Sequence, residues 1–303
     1  MLENRFECAQ RDRKPSRVSW GSQMQSTLDI RILGPLSASA GNRILTPSAP
    51  KERHLFGLLL TQHEKVVSLS RIVDELWLKK PSKSAVTAVQ TYILKIRRQL
   101  ASALAISGNR VRAEILQTHN RGYLFDTSQS RFDLAEFDRL TARGSTALDA
   151  GDHAKGVRLL AAAEQLWRGL PLLDVDQGPM LQAEVARIEQ TRSNARIKRV
   201  ETQLHIGQFR EVLAELSGLV VEHPFDEHLH GYYMIALQRA GRRQDALRVF
   251  HGLRKSMTEE LGIEPSAELQ LLQRRVLDAN GTSPIEPTVR HSLLHQLYAA
   301  TGG

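Results

Sequence analysis

The stretch from Lys83 to Leu100 constrains the fold more than any other, because it specifies one helix with two opposed faces. Val86, Val89, Ile93, Ile96 and Leu100 recur at steps of three, four, three and four. At about 100° per residue they draw a narrow apolar stripe that must pack inward. Ser84, Thr87, Thr91, Lys95 and Arg98 fall on the opposite side, flanked by Lys83, Gln90 and Arg97. Readers of the DNA major groove use this mixture: Arg and Lys for phosphates and guanine, Thr, Ser and Gln for backbone and other base edges. A solvated helix face could carry the same side chains, so the neighbouring segments decide between the two readings.

Those neighbours supply a recognisable order. Leu28, Ile30 and Ile32 alternate with Asp29 and Arg31, with turns at Gly34–Pro35 and Gly41–Asn42 before Ile44 and Leu45, which predicts a short antiparallel sheet. A first helix is expected from about Pro50 to Gln62, with Leu55, Leu58 and Leu59 on one side. Ser70 reads as the N-cap of a second helix through Ile72, Val73, Leu76 and Trp77. Pro81 cannot sit inside a helix, so Leu78 to Ser82 is a loop before the base-reading candidate. After Leu100 a looser stretch ends near Gly108. Arg112 to Asp126 reads as a hairpin, with Ile115 and Leu116 on one arm, His119 to Gly122 at the turn and Tyr123 to Phe125 returning. A sheet, three helices and a basic hairpin make a winged helix-turn-helix, whose third helix enters the major groove while Arg121 at the wing tip reaches backbone or minor groove.

Charge supports that reading. The chain of 303 residues carries +8 overall, yet residues 28 to 126 alone carry +8, residues 1 to 27 carry +2, and residues 127 to 303 carry −2. General arginine richness would spread over the whole chain; a local excess points to a polyanion partner for the first part and another task for the second. Residues 1–27 lack periodicity and read as a disordered leader, followed by a DNA-binding domain over 28–127.

From Phe132 to about Ala279 the pattern is helical almost throughout. Three breaks look alike, at Gly151, Gly207 and Gly241, and the last two lie 34 residues apart, the tetratricopeptide spacing. Pro224 and Pro265 close the second helices of two pairs, and Ala246 and Phe250 match the repeat's small and aromatic positions. The fold class is therefore mainly α: a winged helix with small β-sheets, then an all-α tetratricopeptide-like domain over 128–280 and a tail over 281–303. Stacked helix pairs expose concave surfaces that hold proteins; a plain bundle that dimerises fits the same pattern.

Enzyme chemistry has little support. No glycine-rich loop precedes a Lys-Ser/Thr pair and no Gly-x-Ser-x-Gly is present. His223, His228 and His230 cluster near Pro224 without the closed ligand spacing a metal demands, and Trp77, Trp167 and Phe250 sit among aliphatic residues as core. No cofactor is expected. The lone Cys8 excludes a disulfide framework, and with no signal segment or membrane-length apolar run the expected location is cytoplasmic, with no membrane partner.

With these residues in place, the chain resembles the Streptomyces antibiotic regulatory protein family of transcriptional activators from about Ile32 to Leu277. Carrying the resemblance are Ile32 to Leu36, Pro50, Lys51 and Arg53, Leu76 and Trp77, then Gln90 to Ile93, Lys95, Arg97, Arg98 and Leu100, and Gly122 and Tyr123. Phe132, Asp133, Phe137 and Leu140, then Leu166 to Gly169 with Pro171 and Leu172, resemble the opening of its bacterial transcriptional activation domain; Glu259 to Ile263 and Pro265 resemble its end. The resemblance implies a winged helix of the response-regulator type that binds direct heptamer repeats near the −35 promoter element. It also implies a helical module supporting homodimers and contact with RNA polymerase, and a regulon of secondary-metabolite genes at the nucleoid. It places Lys79, Lys80 and Ser82, in the loop between the second and third helices, toward the polymerase sigma or beta subunit. Val86 and Leu94 replace polar residues usual in that family, and Leu94 projects toward the DNA side, where a thymine methyl is its natural partner. The wing tip keeps one of the usual glycines, and the chain ends before the NTPase and sensor modules of larger members.

The alternative to a sequence-specific activator is an adaptor whose helical module is its main function, with the basic domain tethering it to nucleic acid nonspecifically.

Overall fold

In a computed structural model of the protein, residues 27–78 and 81–278 are described. Lys79, Lys80, the leader up to residue 26 and the tail from residue 281 lie outside them.

Strands β1 (Leu28–Arg31) and β2 (Ser37–Ala40) pair antiparallel, Leu28 facing Ala40 and Arg31 facing Ser37, and β3 (Arg43–Ile44) folds back on β2. The alternation works as expected, burying Leu28 and Ile30 on the inner side. Helix α1 (Pro50–Thr61) starts on a proline, whose missing N–H costs nothing in the first turn. Leu55, Phe56, Leu58, Leu59 and Leu60 are all buried, so α1 is enclosed on every side. After β4 (Val67–Ser68) comes α2 (Leu69–Trp77). Its N-cap is Ser68, not Ser70: the Ser68 hydroxyl accepts from the Arg71 N–H, and because Ser68 also pairs with Gly122 the chain passes from strand to helix with no spacer.

The base-reading candidate is α3 (Ala85–Leu104), one turn longer than the stripe indicated. Its buried row is Ala85, Val89, Ile93, Ile96, Leu100 and Ala103, whereas Val86 is 45% exposed. The stretch after Ala105 holds a further helix, α4 (Gly108–Glu114), capped by the Ser107 hydroxyl, so the outgoing hairpin arm begins at Leu116. Strands β5 (Leu116–His119) and β6 (Gly122–Phe125) form the hairpin, with β4 on the far edge of β6. Strand β7 (Ser130–Phe132) then returns to the first sheet and lies parallel to β1, turning an antiparallel meander into a mixed four-stranded sheet.

The remainder is mostly helical, with 165–178 its longest non-helical stretch: α5 (Asp133–Asp149), α6 (His153–Glu164), α7 (Pro179–His205), α8 (Leu213–Glu222), α9 (Glu227–Arg239), α10 (Arg243–Ser256) running into a π-helical turn (Met257–Leu261), and α11 (Ala267–Asp278). The pairs α5/α6, α7/α8 and α9/α10 each reverse at a glycine with φ near +80°, Gly151, Gly207 and Gly241. Each glycine N–H returns to a helix-end carbonyl, of Leu148, Leu204 or Gln238, a turn that L side chains adopt only under strain. The irregular first step arises because segment 165–178 and the long α7 are inserted between the first two turns.

Burial does not divide near residue 127. One core joins Ile30, Phe56, Ile93 and Phe125 of the winged helix to Phe137, Leu172, Leu181 and Ile188. A second gathers Val200, Leu216, Leu229 and Tyr232, and a third Met234, Phe250, Leu253 and Val276. No helix among the described residues is long and apolar enough to cross a membrane.

Candidate nucleic-acid interface

Helix α3 presents its polar face to solvent: Thr87, Gln90, Thr91, Lys95 and Arg98 are exposed, with Lys83 and Ser84 leading into the helix and Leu94 at 47% exposure among them. The buried row on the other side fixes the rotation of the helix, and so the direction of this face. The Thr91 hydroxyl donates to the Thr87 carbonyl at 2.9 Å, and the Ser84 and Ser82 hydroxyls lie 3.2 Å apart at the helix entrance. Among the described residues Arg98 makes no hydrogen bond or ion pair.

Two of the sequence-predicted residues are engaged inside the protein. Lys95 Nζ donates to Glu52 Oε1 at 2.5 Å, a carboxylate that α1 buries beneath the polar face of α3. Arg97 turns away from Arg98 toward the wing: Nε and Nη2 donate to the Leu116 carbonyl at 2.9 and 2.6 Å, Nη2 also donates to Thr118 Oγ1 at 2.8 Å, and the guanidinium stacks over the Tyr123 ring. Burial lowers the Arg97 pKa from its usual value, with Arg112 adding to the effect. Arg97 is thus a brace between α3 and the hairpin. Arg121 occupies the two-residue turn with φ +68°, and its carbonyl accepts the Leu69 N–H at 2.7 Å, which ties the wing tip to the start of α2. Ser82 is exposed. Lys79 and Lys80 lie outside the described residues.

The helical segment grips the winged helix at residues that local pattern did not single out for this role. The Asp133 carboxylate, at the first turn of α5, accepts the Ile32 N–H at 2.9 Å and the Leu33 N–H at 3.0 Å. Burial holds its pKa above the ordinary aspartate value, outweighing those two N–H bonds and the nearby Arg168. The Arg168 N–H donates to the Leu33 carbonyl at 2.7 Å, the Leu172 N–H to Gly34 at 2.8 Å, and Asp174 accepts the Leu36 N–H at 2.8 Å while pairing with Arg53. A Cβ on Gly34, where φ is +147°, would stand 2.9 Å from the Arg168 Cβ, so this crossing of two chains requires glycine. His230 is buried, its Nδ1 2.9 Å from the Asp226 carbonyl, and burial lowers its pKa.

A solvent-facing helix on a three-helix platform, with a hairpin beside it, defines a winged-helix DNA-binding protein, here built into a set of helix hairpins. Comparison with known proteins agrees. Residues 45–125 match the family model described as transcriptional regulatory protein, C terminal, and residues 132–277 match the bacterial transcriptional activator domain. Regulatory protein DnrI of Streptomyces peucetius is 41% identical over 253 residues, covering 84% of this chain and 93% of DnrI. Transcriptional regulator RedD of Streptomyces coelicolor is 30% identical, covering 90% of this chain and 75% of RedD. Regulatory protein AfsR of Streptomyces griseus is 30% identical, and the match spans 25% of that longer protein. In fold, the chain matches Mycobacterium tuberculosis EmbR, solved in complex with a low-affinity phosphopeptide, with a TM-score of 0.76 at 24% identity over 91% of this chain and 71% of EmbR. The chain belongs to the Streptomyces antibiotic regulatory protein family of transcriptional activators, a family of regulators and not of enzymes.

Proposed function

We propose that the protein binds tandem direct repeats beside the −35 promoter element and recruits RNA polymerase to secondary-metabolite genes, acting at the nucleoid as a homodimer on DNA. The observation that carries this reading is the unbroken exposed row Thr87, Gln90, Thr91, Leu94 and Arg98 on α3, opposite a fully buried row, within the segment that holds the basic excess. Lys83, Ser84 and Lys95 contact phosphates and set register. Arg98 makes a bidentate contact to guanine, Gln90 reads adenine, Leu94 packs on a thymine methyl, and Arg121 enters the adjacent groove. Lys79, Lys80 and Ser82, between α2 and α3, face the sigma or beta subunit.

The test is binding to a promoter fragment carrying two heptamers about one helical turn apart, against scrambled DNA, at two salt concentrations. Discrimination that survives the higher salt, with two protected patches on one DNA face, is expected. Equal release of both DNAs by salt leaves only phosphate contacts and overturns the reading in favour of the adaptor.

A further inference from the structure

The loop between α2 and α3 departs at Leu78, and the end of α2 is held by the helical domain as well as by the winged helix. Glu75 is 3% exposed. Its Oε2 accepts the Met180 N–H at 2.8 Å and its Oε1 the Leu181 N–H at 2.9 Å, so a side chain of α2 caps the first turn of α7. These N–H groups are among the four that a helix start leaves without a partner in the helix, and the N-cap residue Gly178 has no side chain to offer them. A carboxylate also meets the positive end of the helix dipole there. His54 of α1 closes the ring, with Nε2 3.2 Å from Glu75 Oε1 and 3.3 Å from the Gly178 nitrogen. A Cβ on Gly178 would stand 2.6 Å from Glu75 Cδ, so only glycine permits this approach.

The end of α2 is fixed on a second side as well. Lys51 Nζ donates to the Leu76 carbonyl at 2.6 Å and lies over the Trp77 ring. Three residues beyond Glu75, Leu78 ends the helix in the left-handed conformation (φ 48°, ψ 49°) with its side chain 64% exposed. Strain of this kind persists only where the surroundings over-determine it.

We propose that Glu75 is a positioning residue for activation: through it α7 fixes the point from which the loop leaves α2, so the helical domain sets how that loop meets RNA polymerase. The proposal rests on the loop being a polymerase contact, as proposed above. Helix α3 is held by its own buried row, so DNA reading does not depend on Glu75.

The experiment uses the full chain and measures thermal midpoint, operator affinity and polymerase-dependent transcript yield at saturating operator occupancy. Glu75→Gln keeps the shape and gives up one of the two acceptors. The expected result is operator affinity within about twofold of wild type and a yield lower by about tenfold, inside the range that coupling through packed contacts spans. A merely structural role would leave the yield per occupied operator unchanged, and that result overturns the proposal. Should Glu75→Gln melt too early to assay, His54→Gln loosens the same clamp from α1 with the same expectation. Lys80→Ala separates the two readings. A normal yield from it refutes the loop contact, and the positioning role with it, whereas a low yield from Lys80→Ala beside a normal yield from Glu75→Gln refutes the positioning role alone.

Discussion

Arg97 and Arg98 are consecutive on α3, the sequence pattern assigns both to DNA, and yet they face different partners. Arg97 makes three donor contacts to the Leu116 carbonyl and the Thr118 hydroxyl; Arg98 is exposed. Arg97→Met keeps most of the side-chain stem and removes all three contacts. A hydrogen bond from a charged donor is worth about 1.5–3 kcal/mol, but two of these share one acceptor, and burying the guanidinium offsets part of the gain, so the net loss is about 1–3 kcal/mol. In domains of about 150–250 residues each kcal/mol moves the midpoint by roughly 2–4 °C, which predicts a fall of about 2–12 °C. Arg98→Met should stay within about 0.5 kcal/mol of wild type in the free protein. On DNA the pair reverses: Arg98→Met costs roughly 1–3 kcal/mol of operator affinity and relaxes base preference, while Arg97→Met keeps its ratio of operator to scrambled binding. Thermal melts of the free proteins and anisotropy titrations on both DNAs read all four numbers. Arg97→Met melting with wild type while losing base preference would refute the brace.

Substitutions at three further positions test the surroundings of the polar face of α3. Asp133→Ala leaves the Ile32 and Leu33 N–H groups without their acceptor and should cost about 2–4 kcal/mol in urea denaturation, against roughly half for Asp133→Asn, which keeps one oxygen; equal losses would show that those bonds do not hold the two parts together. Glu52→Gln removes the buried competitor for Lys95 and should raise affinity for operator and scrambled DNA alike by about two- to fivefold at low salt, which titration on both DNAs checks; unchanged affinity would mean Lys95 does not reach phosphate. Burial depresses the His63 pKa, with Glu64, Asp138, Lys65 and Arg187 as the surrounding charges, so its neutral form contributes stability that is present above about pH 6.5 and lost as pH falls through the lowered value. His63→Gln should therefore flatten the fall in midpoint on acidification, in part only because His230 shifts the same way; an unaltered slope would exclude His63 as a contributor.

The exposed polar face of α3 is legible in the sequence because a stripe of period near 3.6 leaves one orientation for the helix. Val86 departs from the stripe for a simple reason: its step of three to Val89 fits the period, while Ala85, which is 2% exposed and carries the contact, gives almost no hydrophobic signal. Helix α4 leaves almost no trace in the sequence because Val111 is its one buried residue, too little for a period, and its available sign is Ser107 as an N-cap. Arg97 sits at the margin between faces, where a long side chain can turn either way, and only the position of β5 decides. The grip of Asp133 on Ile32 and of Glu75 on Met180 joins residues about a hundred positions apart, beyond the reach of any local pattern. Their type left a trace, since Asp133 and Arg168 stand in the motifs that carry the family resemblance, without revealing what they bind.

The partition of the core sets where the molecule yields. Helix α7 contributes Leu181, Val185 and Ile188 to the first core and Val200 and Leu204 to the second, and none of residues 189–199 between them is buried. Ion pairs dominate that stretch: Arg192 with Glu164, Lys198 with Asp149, Arg196 with Glu222 and Arg199 with Glu215. Partly exposed pairs contribute little each and weaken as salt screens them, whereas apolar burial does not. Local opening follows contact density, so α8 to α11 should exchange their amide hydrogens by openings of lower free energy than α1, α3 and α5. Added salt should widen that gap. Hydrogen exchange at two ionic strengths measures both effects, and uniform protection from α3 to α11, insensitive to salt, would mean that the molecule opens as one unit and that the middle of α7 is no weaker than the core on either side.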